Sequence, residues 1–199
     1  MPSSKAYSLT SARWSKAREK IPMSIVTKRG DLGTTALMYN RKVSKCHPRV
    51  EAYGAVDELN ASLGLARATA TDDNVRAHLA AIQQDLVVLM GELATATGDL
   101  PRYLKDGHGQ VTADMTARLE GLIGEIENAQ TPAKGWAIPG ANPAAATLDL
   151  ARTVCRRAER RVCSLQETEP LQNPQILVYL NRLSDLLWLL ARVAEPKRG

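Results

Sequence analysis

Apolar residues recur along the chain at the period of helices that bury one face. The clearest run is Val75, Leu79, Ile82, Leu86, Leu89 and Leu93. It predicts an amphipathic helix, opened by Asp72-Asp73-Asn74 as turn or N-cap and ending near Gly98. Pro48 opens an earlier helix, Arg49 to about Thr69. Gly54 and Gly64 inside it cost stability relative to Ala, which close helix–helix contact would explain. Thr112 reads as the N-cap of a third helix with Met115, Leu119, Leu122 and Ile126 as its stripe. Asn142-Pro143 and Asn173-Pro174 each place a capping side chain before a proline suited to a first helical turn. They predict a fourth helix running to about Leu165 and a fifth ending at Glu195-Pro196. Ile176, Leu180, Leu183, Leu187, Leu190 and Ala194 form the core stripe of the fifth. Asn181, Asp185, Trp188 and Arg192 form a second stripe on it. Residues 98–111 and 130–143 are rich in turn formers and read as loops. Five helices with mostly short connections predict an all-α, five-helix up-and-down antiparallel bundle.

The polar pattern departs from simple amphipathicity between Ala151 and Val162, which hold five arginines and one glutamate. At about 100° per residue, Arg152, Arg156 and Arg160 share a stripe. Like charges on one stripe repel unless an anion or carboxylates lie opposite, and the flanking apolar positions leave little room for a wholly solvated face. Asp57, Asn181 and Asp185 come from two other helices. With Arg152, Arg156 and Glu159 they are read as facing inward or half-buried, which suits a site assembled between helices or subunits.

Residues 24–45 form a different region. Thr27-Lys28-Arg29-Gly30-Asp31-Leu32-Gly33-Thr34-Thr35 combines glycines, threonines and cations. Glycines allow close approach of backbone N–H groups to an anion, so a phosphate-binding loop and an ordinary glycine turn both fit. It is not a Walker loop, since no Gly-Lys-Ser/Thr follows at the required spacing. Ser24-Ile25-Val26 suits a short extended piece. Trp136, between Gly135 and Pro139, either plugs the end of the core or walls a ligand pocket.

Composition adds limits. The 199 residues are 44% hydrophobic and only 4% aromatic, with no Phe, which suits one soluble, helix-rich domain. Lys and Arg number 26 against 21 Asp and Glu, giving +5, which permits an anionic partner without naming one. Cys46, Cys155 and Cys163 form neither a disulfide framework nor a CxxC metal site, and Cys155 and Cys163 read as small buried residues. No apolar run approaches a membrane span. Residues 1–23 form a basic tail that fits a disordered segment or a transit segment, leaving 24–199 as the folded domain.

Four pieces, in this order and spacing, resemble the PduO-type ATP:cob(I)alamin (corrinoid) adenosyltransferases. They are the loop Thr27–Thr35, Pro48-Arg49-Val50-Glu51-Ala52-Tyr53-Gly54-Ala55-Val56-Asp57-Glu58-Leu59-Asn60, Cys155-Arg156-Arg157-Ala158-Glu159-Arg160, and Leu180-Asn181-Arg182-Leu183-Ser184-Asp185. The resemblance covers about residues 24–193. It implies a homotrimer with active sites between subunits, which transfers the 5′-deoxyadenosyl group of ATP to cobalt(I) and releases triphosphate. Mg2+ accompanies ATP. By position, Thr27, Lys28, Gly30, Asp31, Gly33, Thr34, Thr35 and Lys45 match the ATP loop. Arg156, Glu159, Arg160 and Asn181 match nucleotide-binding positions. Asp57 and Arg152 match a pair that bridges subunits. Trp136, Asp185 and Trp188 match the corrinoid side, with Trp136 where the family usually has Phe, the aromatic that pushes off the lower axial ligand of cobalt. Arg156, Asp57, Arg152 and Trp136 carry the catalytic expectation. No protein side chain is assigned to a metal.

Cys46-His47 and Arg29 depart from the family pattern. His47 is read as a surface substitution in preference to a metal ligand. His78 and His108 read as surface residues. Implied partners are a flavin reductase and an adenosylcobalamin-dependent acceptor enzyme, with neither nucleic acid nor membrane. A bacterial or archaeal source implies the cytoplasm, a eukaryotic one the mitochondrial matrix. Two other readings are weighed: a non-catalytic ATP or corrinoid carrier of the same fold, and a nucleic-acid binder using the arginine helix. The last leaves Asp57, Asn181 and Asp185 unexplained.

Overall fold

The computed structural model describes residues 26, 28–129 and 137–196. The basic tail, Ser24, Ile25, Thr27 and Trp136 therefore lie outside the described residues. The chain is mostly helical. A short antiparallel hairpin, β1 (Thr34–Ala36) and β2 (Lys42–Ser44), precedes α1 (Pro48–Thr69), α2 (Asp73–Leu93), α3 (Leu100–Lys105), α4 (Ala113–Ala129), α5 (Pro143–Thr168) and α6 (Gln175–Val193). Helix α1 packs on α2 and α5, and α6 packs on α5 and α4. Among the described residues no single helix is long and apolar enough to cross a membrane.

Local chemistry accounts for most of the boundaries. Asp72 caps α2 by accepting from the N–H groups of Asn74 and Val75. Asn142 caps α5 through Ala145 N–H at 2.8 Å, with Pro143 in the first turn. Thr112 Oγ1 accepts from Met115 N–H at 3.4 Å. His47 caps α1: its Nδ1 accepts from Arg49 N–H at 3.1 Å. The buried stripes meet in one core that includes Leu59, Leu63, Leu79, Ile82, Leu86, Leu119, Leu148, Val162, Leu180 and Leu183. Each leucine so buried contributes roughly 1.5–3 kcal/mol over leaving it in water.

Several expectations are corrected. Helix α2 ends at Leu93, short of Gly98. Arg49 draws the carbonyls of Leu93 and Thr95 away from the helical ladder, at 3.0 and 2.8 Å. Residues 98–111 are not all loop, because α3 forms there after a single turn of 3-10 helix at Thr97–Asp99. Pro101 suits a first turn, and burial of Leu100 and Tyr103 supplies the packing that a count of turn formers ignores. Helix α5 continues to Thr168. Extended structure falls at Thr34–Ala36 and Lys42–Ser44, a hairpin not foreseen from the sequence. Cys155 is buried and donates to Leu180 O at 3.3 Å, but Cys163 is exposed. A Cβ on Gly64 would lie 3.5 Å from Gln83 Nε2, an ordinary contact, and one on Gly54 would meet open space, so within the single chain neither glycine has the close helix–helix contact invoked for both.

Two polar clusters built around buried groups tie the helices together. Arg49, 2% exposed, reaches Glu169 through Nε at 2.7 Å and Nη2 at 2.6 Å, and also reaches Thr97 Oγ1. Elsewhere Tyr179 donates to Asp85 at 2.8 Å, and Arg118 pairs with the same carboxylate. Buried charges persist where each is paired and hydrogen-bonded.

Candidate active site

The loop ahead of β1 is built from two tight turns. Asp31 N–H donates to Lys28 O at 3.4 Å and Gly33 N–H to Gly30 O at 3.2 Å. Lys28 and Gly33 have φ of 57° and 74°, in the left-handed region, where glycine is at ease and lysine is not. The strand register sets Thr34 opposite Ser44, and Lys45 N–H then donates to Gly33 O at 2.9 Å. Lys45 folds back over the loop: a Cβ on Gly30 would stand 2.9 Å from its Nζ. The hairpin thus gathers Lys28, Gly30, Asp31, Gly33, Thr34, Thr35 and Lys45 into one surface element. Glycine at position 30 leaves room for a cation beside the backbone.

The five arginines of α5 divide into three sets. Arg157 pairs with Glu58 and Arg161 with Glu51 at 3.9 Å, so these two face the acids of α1. Arg152 Nε lies 3.3 Å from Asp149 Oδ1, and Asp149 also receives Arg192 of α6. Arg156 and Arg160, one turn apart, are exposed and have no hydrogen-bond or ion-pair partner among the described residues. Between them Glu159 accepts from Asn181 Nδ2 at 3.1 Å. Two unpaired guanidiniums beside an ordered carboxylate–amide pair form a surface able to take a polyanion.

The expected inward or half-buried placement is corrected at four positions: Asp57, Arg156, Asn181 and Asp185 are exposed in the single chain. Leucine and alanine already fill the space between the helices, so the polar stripe lies outside it. Asp57 makes no pair with Arg152 within the chain, whose carboxylate partner is Asp149. No hydrogen bond or ion pair joins the hairpin to Arg156, Arg160 or Asn181 among the described residues. Burial pushes the Cys155 thiol well above its ordinary pKa, which removes it as a nucleophile.

Between α4 and α6 lies a cleft of about 490 Å³ lined by Glu120, Ile123, Glu127, Arg182, Asp185, Trp188 and Leu189. Arg182 crosses its mouth, bonding Glu120 at 3.0 Å and Asp185 at 2.9 Å. The Arg192 guanidinium lies 5.7 Å from the centre of the Trp188 ring. Asp185 and Trp188 thus share one concave, partly apolar wall. Sequence reasoning missed Asp149 as a hub, although it lies one turn before Arg152, where a carboxylate can meet a guanidinium.

The fold and this surface define a helical protein with a cation-bearing loop, an exposed arginine pair and a neighbouring cleft. The sequence matches the cobalamin adenosyltransferase family over residues 25–194, and the chain belongs to that family. It is 42% identical over 176 residues to the corrinoid adenosyltransferase PduO of Salmonella typhimurium, spanning 87% of this chain and 50% of that protein. A corrinoid adenosyltransferase of Citrobacter freundii is 42% identical over 171 residues, spanning 86% of this chain and 94% of that protein. The chain therefore spans about half the length of the PduO relatives from Salmonella and Citrobacter, and nearly all of the second Citrobacter protein. A solved variant of the PduO-type ATP:corrinoid adenosyltransferase from Lactobacillus reuteri, complexed with cobalamin and ATP, superposes with a TM-score of 0.78. It is 33% identical and covers 86% of this chain and 93% of its own.

Proposed function

We propose that the chain transfers the 5′-deoxyadenosyl group of ATP to cobalt(I) of a reduced corrinoid, giving adenosylcobalamin and triphosphate. The observation that carries this reading is the unpaired Arg156–Arg160 couple flanking the Glu159–Asn181 pair, in a member of the cobalamin adenosyltransferase family. The named relatives act on corrinoids, and the Lactobacillus structure holds both cobalamin and ATP.

Cobalt(I) is itself the nucleophile. The protein's tasks are alignment with the 5′ carbon and stabilisation of charge growing on the leaving oxygen. Arg156 and Arg160 are assigned to the triphosphate, Glu159 and Asn181 to the rest of the nucleotide. The loop residues Thr27, Lys28, Gly30, Asp31, Gly33, Thr34 and Thr35, with Lys45, are assigned to the phosphates from the other side. Magnesium is assigned as a companion of the phosphates. The α4–α6 cleft, with Asp185 and Trp188, is assigned to the corrinoid, and Trp136 to its lower face. The assembly proposed is a homotrimer of five-helix up-and-down bundles, with sites between subunits and Asp57 of one subunit beside Arg152 of the next. The exposure of Asp57, Arg156 and Asn181, and the lack of bonds between them and the hairpin among the described residues, support a site completed by a second copy. The cytoplasm of a bacterium, with a reductase to supply cobalt(I) and an acceptor enzyme for the product, completes the reading.

The test mixes the chain with ATP, Mg2+ and chemically reduced cobalamin. The cobalt(I) spectrum is expected to decay into that of light-sensitive adenosylcobalamin. ATP binding without alkylation would favour a carrier instead.

A further inference from the structure

The hairpin that bears the nucleotide loop is held at its tip. Each strand has only three residues, and a two-stranded hairpin of that size is marginal by itself. Its turn places Tyr39 and Asn40 at φ of 60° and 59°, as a type I′ turn requires, although a tyrosine pays steric strain there. That conformation persists where the surroundings determine it. Here they do. Tyr39 Oη donates to Asp106 Oδ2 at 2.9 Å, and the Arg102 guanidinium lies 4.1 Å above the Tyr39 ring. Arg41 grips Asp99 with two donors, Nη2 to Oδ1 at 2.8 Å and Nε to Oδ2. Met38 N–H donates to Ala94 O at 2.9 Å, and Leu37 is buried.

These partners all lie between Ala94 and Asp106. The same segment receives Arg49 through Thr95 O and Thr97 Oγ1, four residues beyond Lys45. The tip and the far end of the β2–α1 segment therefore rest on one base. By contrast, the loop between Lys28 and Gly33 has hydrogen bonds only within itself and to Lys45 among the described residues. Its position relative to the helices is set by the hairpin.

We propose that the Arg41–Asp99 and Tyr39–Asp106 contacts clamp the hairpin so that its loop and Lys45 are preorganised for the triphosphate of ATP. The inference rests on the transferase reading above. Tyr39, Arg41, Asp99 and Asp106 are positioning residues, acting through the loop. Loosening the tip leaves the arginines of α5 and the α4–α6 cleft untouched, so it weakens ATP binding selectively.

The test uses the full chain and measures Mg-ATP binding at equilibrium without corrinoid, alongside KM values for ATP and cobalamin and kcat. Arg41→Ala is expected to weaken ATP binding and raise its KM about threefold to tenfold, as loss of a bidentate surface pair allows. The KM for cobalamin and kcat are expected to stay within about twofold. The charge swap Arg41→Asp with Asp99→Arg restores ATP affinity, an outcome that a generic loss of stability does not produce. Unchanged ATP affinity in Arg41→Ala, parallel loss of both KM values and kcat, or failure of the swap to rescue overturns the clamp. If the wild-type chain binds ATP yet forms no adenosylcobalamin, the transferase reading fails, and the clamp is still judged by ATP binding alone.

Discussion

Asp149 brings its carboxylate within 3.3 Å of the Arg152 guanidinium one turn along α5, and the same carboxylate receives Arg192 from α6. Asp149 is buried, and the Arg192 side chain is 7% exposed while that of Arg152 is 25% exposed. One carboxylate therefore holds a structural arginine and an arginine whose other side is open to a partner.

The two arginines should respond differently. Asp149→Ala leaves the buried Arg192 with Glu195, 3.0 Å from its Nε, and removes the charge-assisted bond at Nη2, which should cost about 1.5–3 kcal/mol. Arg152→Ala leaves the Asp149–Arg192 pair in place and should cost about 1 kcal/mol or less. Urea unfolding of both variants checks this, and equal losses would contradict the division.

A subunit-bridging role for Arg152 makes a second prediction. Asp57→Asn and Arg152→Ala should each impair turnover as homo-oligomers. Unfolding and refolding the two variants together should restore part of it, because some interfaces then combine an intact Asp57 from one chain with an intact Arg152 from another. No recovery in mixtures confirmed to contain both chains would place the pair outside a shared site.

Gly30 offers a test of the nucleotide loop. A methyl group there would sit 2.9 Å from Lys45 Nζ and 3.1 Å from Cε, while the nearest backbone atom, Thr34 O, is 3.6 Å away. Gly30→Ala should displace the lysine with little change in fold. Forcing one side chain off its rotamer costs about 0.5–1.5 kcal/mol, so ATP affinity should fall about twofold to tenfold. Lys45→Ala should produce a similar loss, and the double variant little more.

Stability should also depend on acid pH through Glu169. Hydrogen bonds from Arg49 hold its carboxyl down at about 2 against an ordinary 4.5, with burial opposing and Thr97 assisting. The folded state then binds fewer protons than the unfolded state between these values. Its stabilising share is complete above about 4.5 and is lost as the pH falls toward about 2. Thermal unfolding across that range should show the loss in the wild type and a flatter profile in Glu169→Gln.

Much of this molecule is legible from periodicity. The stripe from Val75 to Leu93, the Asp72, Thr112 and Asn142 caps, and the prolines that follow two of the asparagines locate the long helices, because these signals act within a few residues. The hairpin was missed because its strands are three residues long and depend on contacts with α3, far along the chain. Helix α3 was missed because its stability comes from burying Leu100 and Tyr103, while its sequence reads as turns. Equal spacing put Arg152, Arg156 and Arg160 on one stripe but could not separate an arginine held by Asp149 from two left open. That separation depends on the placement of α6. Arg49 gave no periodic signal at all, since its partners come from the ends of α2 and α5.

In the proposed reaction the carbon bonded to cobalt comes from ATP and leaves triphosphate behind. The direct measurement supplies ATP labelled with carbon-13 at the 5′ position, together with Mg2+ and reduced cobalamin, and follows carbon-13 and phosphorus-31 resonances in one sample. A labelled carbon bonded to cobalt and an equal amount of intact triphosphate are expected. Labelled adenosine or ADP, with the label never reaching cobalt, would contradict it.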